Sequence, residues 1–278
     1  NTYKLKAAYS DDSFVSKKTM YIIKGSNEQK SLLLNLVGLL NSSLYAYLNL
    51  MLGTSIGIER EQRFMDEVLS YPYLFSEKVV DKVDHIQTTL NKQKQYVLYD
   101  CDIDSDVKQL DDMILKELGL EHNNFINYAI DIQIPELTNP VKSQAYRTVS
   151  VDDLKEYSKC FVKQFSLVYN PSGQYVSVTL YPSIGNHYAV FELQINNSKP
   201  VAEIVVADEV NDEKKLLAQF SVYEYNDKFY QMRDVIHFST DSLFILKPNF
   251  YKNWHPAIAE IDLADVIDQI MAASGGDE

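Results

Sequence analysis

From Ser31 to Ile58 the chain carries no charged residue. Of the 21 residues from Leu32 to Leu52, sixteen are apolar or aromatic, counting Gly38. A run of that length has two homes: the hydrocarbon of a bilayer, or a helix covered on nearly all sides by other protein. Asn35, Asn41, Ser42, Ser43 and Asn49 spread polar groups around such a helix, and no cluster of Lys or Arg flanks either end as an orientation signal. The pattern favours a central buried helix over a span, and no membrane partner is expected.

The elements on either side are shorter. YKLKAAY (3–9) and KKTMYIIKG (17–25) read as two strands, the second stopped by Gly25. Ser26 with Gln29 forms a capping box that starts the central helix. Two glycines and a Thr-Ser pair make a loop after Gly53, and a charged stretch follows until Pro72. Helices are expected over 76–95 and 104–120, the latter stopping near Gly119, with 121–130 continuing the helical region. Residues 132–148 hold Pro135 and Pro140 without clear periodicity and form the candidate linker.

Beyond it, Ser150 and Asp153 make an acidic capping box for a helix reaching about Phe165. Residues 173–182, 187–195 and 200–206 alternate with period two, which predicts an antiparallel meander. A helix near 212–222, strands at 228–237 and 241–247 and a last helix at 261–273 complete the chain. The expected class is α+β. A helix-rich region with a short sheet and a central buried helix (1–135) precedes an acidic, antiparallel-sheet α+β domain (145–278).

Charge divides the chain in the same way. Residues 1–90 hold ten basic and ten acidic side chains; residues 91–278 hold 16 basic and 29 acidic ones, which accounts for the whole net charge of -13. Phosphate backbones repel such a surface, so DNA contact is expected only in the first ninety residues. The acidic remainder suits a protein neighbour or plain solubility. Cys101 and Cys160 stand far apart and match no metal spacing or disulfide framework, which fits a reducing cytoplasm. His85, His122, His187, His237 and His255 are scattered and read as surface or packed residues. With Asn1 as its first residue, the chain is expected to be a piece of a longer polypeptide.

Catalytic signatures are absent. There is no Pro-Pro dipeptide, and Asn170-Pro171-Ser172-Gly173 reads as a hairpin turn rather than a base-holding loop. No GxG loop, GxSxG elbow or HExxH helix occurs. Asp208 with Glu213 and Lys215 has the composition of a nuclease core, but the surrounding residues read as a solvated loop entering a helix. No catalytic or metal-binding residue is assigned.

Three segments carry a resemblance: LKAAYSDDSFVSKKTMYIIKG (5–25), LLNLVGLLNSSLYAYLNLMLGTSIGIEREQRFMDEVLSYPY (33–73) and SLFILKPNFYKNWHPAIAEIDLADVI (242–267). In this order they resemble the C-terminal part of adenine-specific DNA methyltransferases of restriction-modification or phage-defence type. The "GLLNSSL" helix followed by a "GIER" turn is the most specific match. Lys252 stands where that pattern has Arg before the Trp, and Tyr73 where it often has Pro. The resemblance implies a target-recognition and accessory region working beside a catalytic domain that lies N-terminal to it. That domain, not this region, would hold S-adenosylmethionine, and no cofactor is expected here. Duplex DNA and the catalytic domain are the implied partners, with a nuclease or other defence subunit as a further one.

Arg60 and Arg63 in GIEREQR, with Lys17 and Lys18, are the candidate DNA contacts. Arg makes bidentate contacts to guanine or phosphate and Lys supplies a point charge. The alternative is that Glu59 and Glu61 pair with the two arginines and only fix the loop to its neighbours. A second function class is also open: the acidic region could dock another subunit of the same system and touch no DNA.

Overall fold

The computed structural model describes residues 6–15, 20–53, 64–95, 103–138, 140–141, 143–184, 187–207 and 235–274. The chain is α+β and divides into two compact units, Asn1–Ser143 and Gln144–Glu278.

In the first unit the uncharged run forms two helices, α1 (Lys30–Asn41) and α2 (Ser43–Leu52), whose axes bend by 64°. The single helix expected over 31–52 is therefore corrected to a broken one. Ser42 adopts an extended backbone (φ -71°, ψ 154°), its hydroxyl donates to Leu39 O (2.7 Å), and it accepts the Tyr45 N–H (3.2 Å) as the N-cap of α2. Asp111 then accepts both the Ser43 N–H (2.7 Å) and the Ser43 hydroxyl (2.6 Å). The break is thus stabilised by donors and acceptors on both sides, and no single described helix is long and apolar enough to cross a membrane.

Asn35 and Asn41 in the same run hold other chain segments. Asn35, fully buried, donates to Leu74 O (2.7 Å) and accepts from Ser76 N–H (3.1 Å). It so fixes the start of α4 (Glu77–Gln95), which follows the short α3 (Met65–Leu69). Gly38 is where α1 meets α4: a Cβ there would lie 2.8 Å from Val79 Cγ1 and 2.9 Å from Val83 Cγ2. Leu34, Leu39, Leu44, Tyr45, Val79, Val83, Leu110 and Ile114 form the core of this unit.

The two strands expected at the start are not found where residues are described: 6–9 and 20–25 carry no strand. Asn41 supplies the reason for the first. Its amide accepts the Ala7 N–H (3.1 Å) and donates to Ala7 O (2.8 Å), occupying the groups a neighbouring strand would need. Gln87 donates to Tyr9 O (3.1 Å), and this strap is tied across α1 and α4.

α5 (Ile103–Glu117) ends at Gly119, which takes φ 67° while Leu120 N–H donates to Leu115 O (2.8 Å). That is a Schellman stop needing a left-handed residue. α6 (Asn124–Tyr128), a π-helical turn over Ala129–Gln133 and α7 (Ile134–Thr138) carry helix into the stretch expected as linker. Pro135 causes no break because it occupies the first turn of α7.

In the second unit α8 (Val151–Tyr169) begins with the expected Ser150–Asp153 capping box and runs four residues past Phe165. Asn170–Ser172 is a 3-10 turn and Gly173 has φ 79°. This segment is a helix stop rather than the hairpin turn expected. β1 (Tyr175–Ile184), β2 (Tyr188–Asn196), β3 (Ile204–Val206), β4 (Val235–Phe238) and β5 (Ser242–Pro248) form one sheet in the order β3-β1-β2-β5-β4.

All neighbours are antiparallel except β3 with β1, so the sheet is mixed and not the meander expected. β5 pairs with β2 over seven residues and buries Leu243, Phe244, Ile245 and Leu246, whereas β3 offers only three paired residues. The longer apolar strand holds the free edge of β2, and β3 takes the outer edge of β1. Val178, Leu180, Phe191, Leu193 and Ile245 face a core with Tyr157, Phe161 and Trp254. The last helix, α9 (Pro256–Ser274), starts five residues before the expected position. Pro256 sits at its first position and the ring of His255 accepts the Ala257 N–H (3.1 Å), an N-cap no sequence rule flags. The helix expected near 212–222, most of the strand expected at 228–237, and Asp208, Glu213 and Lys215 lie outside the described residues.

Candidate nucleic-acid interface

Arg60, Arg63, Lys17 and Lys18 all lie outside the described residues, as do Glu59 and Glu61. What the structure gives is the framework from which 54–63 springs. On one side α2 ends with Gly53 N–H donating to Asn49 O (3.0 Å). On the other, α3 begins after Phe64, with Asp66 and Glu67 in its first turn, where carboxylates complement the helix dipole.

The two described ends that flank 54–63 are fastened together. The rings of Tyr45 and Tyr71 meet edge to face at 5.6 Å, Tyr45 donates to Pro72 O (2.8 Å), and Tyr71 donates to Asn49 Oδ1 (3.0 Å). Asn49 Nδ2 is buried without a hydrogen-bond partner among the described residues. Such groups are uncommon, and this one sits one turn before the C-cap Gly53. Met51, Leu52, Phe64 and Leu69 are exposed around the base.

The described residues that precede Lys17 and Lys18 are held by the Ala7–Asn41 clasp and by Lys30. Lys30 lies 3.4 Å from Asp11 and 5.4 Å from the centroid of the Tyr9 ring. After Lys18, Met20, Tyr21, Ile22 and Ile23 are exposed.

The third resembling segment, 242–267, contributes β5, Trp254 and Asp262 to the interior. Lys247 is 1% exposed and its Nζ lies 2.5 Å from Asp262 Oδ2, which also accepts the Tyr157 hydroxyl at 2.5 Å. Trp254 is wholly buried, its indole N–H on Pro248 O (3.0 Å). Burial pushes the Cys160 thiol up to about 12, with Glu260 and Asp262 adding to the rise. A thiol raised in this way is a poor nucleophile.

Sequence reasoning missed one surface cluster. The strap 145–149 runs beside the loop 249–253: Val149 N–H donates to Asn249 O (2.8 Å), Tyr251 N–H to Arg147 O (3.0 Å) and Lys252 N–H to Ala145 O (3.1 Å). This ribbon puts Arg147 3.7 Å from the Tyr251 ring centroid and Lys252 Nζ 3.8 Å from that of Tyr146. Tyr146 meets Phe250 edge to face at 5.6 Å. Arg147 also forks onto Asp153 (2.6 and 2.8 Å). Burial alone would raise the Asp153 carboxyl; hydrogen bonds from Arg147 and Ser150 outweigh it and hold the group down at about 2. The contacts join residues a hundred positions apart, so no local signal reveals them. Among the described residues no group of three His, Cys, Asp or Glu is arranged to hold a metal ion.

No protein-family profile, curated protein or solved structure matches the chain.

Proposed function

We infer that this chain is the non-catalytic recognition portion of an adenine-specific DNA methyltransferase of restriction or phage-defence type, positioning duplex DNA for a catalytic domain elsewhere in the polypeptide. The observation that carries the reading is the foundation of the 54–63 loop. The Gly-Thr-Ser-Ile-Gly sequence with Arg60 and Arg63 follows a helix end that Tyr45, Tyr71 and Asn49 clamp to the described residues after Phe64. Recognition needs its donors carried on a rigid base, because a base can be flipped and methylated only if a second lobe holds the duplex in register. The balanced charge of residues 1–90 permits approach to phosphate.

The test is duplex-DNA affinity of the chain at fixed salt. Arg63→Ala and the Lys17→Ala/Lys18→Ala pair should each weaken binding without moving the melting temperature. A large loss of stability with affinity intact would assign these residues to the fold instead.

A second reading, a docking module for another subunit of the same system, is favoured by the net charge of -13 carried wholly by residues 91–278. It predicts that residues 144–278 contribute nothing to duplex affinity.

A further inference from the structure

The last helix of the second unit, α9, carries apolar residues on both of its sides. Ala259, Asp262 and Val266 turn inward, where Lys247 of β5 engages Asp262. The opposite side presents Ile261, Ala264, Asp265, Asp268 and Met271, all exposed. Ile261 leaves 46% of its surface in water and Met271 66%. Positions 261, 264, 268 and 271 follow the alternating steps of three and four residues against which a second helix packs. No Lys or Arg occurs from Pro256 to Ser274. Asp262 is neutralised from within, whereas Asp265 and Asp268 make no ion pair. The stripe is therefore apolar at its ends and anionic in its middle.

We propose that the outer face of α9 docks a cationic amphipathic helix of another polypeptide. Lys or Arg of that helix would stand opposite Asp265 and Asp268, and its apolar side chains would cover Ile261 and Met271. Charge selects this occupant. A second copy of α9, laid against the first in either direction, would bring the two aspartates against their own counterparts. The phosphates of nucleic acid or of an anionic lipid surface would meet the same unpaired carboxylates. A cationic helix turns that repulsion into attraction and gains specificity from it. Exposed ion pairs alone contribute little, so burial of Ile261 and Met271 has to supply most of the affinity. The face gives the docking reading of the second unit a location and a partner chemistry, rests on that reading, and is independent of the 54–63 loop.

The experiment is fluorescence anisotropy of labelled synthetic helical peptides titrated with the full chain at low and moderate salt. One peptide has Leu along a heptad seam and Lys beside it. A second has Glu in place of Lys, and a third keeps the composition of the first with its Leu residues scattered around the helix. The parent chain should bind the first peptide in a salt-dependent way and the other two at least about ten-fold more weakly. Asp265→Lys with Asp268→Lys turns two attractions into two repulsions. It should weaken the Lys peptide by about ten-fold or more and bind the Glu peptide instead. Ile261→Ser with Met271→Ser should weaken the Lys peptide with its salt dependence unchanged. These positions are exposed, so the variants should melt with the parent by Trp254 fluorescence. No binding of the Lys peptide to the parent overturns the proposal and removes the charge support for the docking reading. Equal affinity of the Asp265→Lys/Asp268→Lys chain overturns the α9 face alone and leaves docking to another acidic surface. Equal binding of the scattered peptide reduces the effect to general charge attraction and also overturns it. So does self-association of the parent that Ile261→Ser abolishes, which would put a second copy on this face.

Discussion

Asp262→Leu is the substitution that most sharply interrogates the interior of the second unit. It removes the acceptor shared by the Lys247 ammonium and the Tyr157 hydroxyl, each 2.5 Å from the same carboxylate oxygen. Lys247 is 1% exposed and cannot turn to water without opening the contact between β5 and α9. At an effective dielectric of about 20, opposite charges at this distance attract by roughly 7 kcal/mol, and that gross term offsets several kcal/mol of desolvation for each ion. Deleting one partner leaves the desolvation without the attraction, and the expected cost is about 3–5 kcal/mol. A domain's whole stability is about 5–15 kcal/mol, so the unit should be close to unfolding.

The assay is built in. The chain has one tryptophan, Trp254, which is buried against Tyr157 at 4.9 Å, so its fluorescence in a urea titration reports this unit. Replacing all three groups together, Lys247→Met with Asp262→Leu and Tyr157→Phe, should recover most of the loss, because an apolar set needs no pairing. A cost under about 1 kcal/mol for Asp262→Leu, or no recovery in the triple variant, would refute the reasoning that a buried charge was stranded.

Three further outcomes follow from the geometry. Gly38→Ala puts a methyl within 2.9 Å of two stiff valines, so it should destabilise the first unit by about 1–3 kcal/mol despite alanine's better helix propensity; unchanged thermal melting by circular dichroism would contradict the packing. Burial holds the His255 imidazole down at about 4 from its ordinary 6.5, partly opposed by Asp153. A neutral ring also suits its task as acceptor at a helix N-terminus, where positive charge is disfavoured. Since the unfolded chain takes up the proton first, this stability is complete above pH 6.5 and is lost as pH falls toward 4, by about 3 kcal/mol; His255→Asn should abolish that part of the pH dependence of urea unfolding. Arg147→Ala should raise the Asp153 carboxyl from about 2 toward its ordinary range, visible by NMR titration, and an unmoved carboxyl would exclude the ion pair as the cause.

What the sequence revealed was local. Both capping boxes, the Gly119 stop and the helical spacing of α4 depend on residues within one or two turns of each other, and each stands where expected. Features made by distant partners were invisible. The break at Ser42 relies on Asp111, 68 positions from Ser43. The lost first strand depends on Asn41 reaching back to Ala7. β3 moved to the outer edge because β5, from much later in the chain, holds β2 more strongly. The aromatic ribbon has the same origin. Of the candidate site, the structure supplies the clamped helix ends around 54–63, and the charged residues themselves lie outside what it describes.

The most direct measurement of the central claim is the salt dependence of duplex-DNA binding by the intact chain, compared between the parent and Arg63→Ala. Phosphate contacts release counterions, so log affinity should fall linearly with log salt concentration, and each lost contact should reduce the slope by roughly 0.9. The account predicts a salt-dependent parent and a variant whose slope is shallower by about one contact, with its melting temperature unchanged. A parent that shows no salt-dependent binding to duplex DNA, or a variant with the parent's slope, would contradict it.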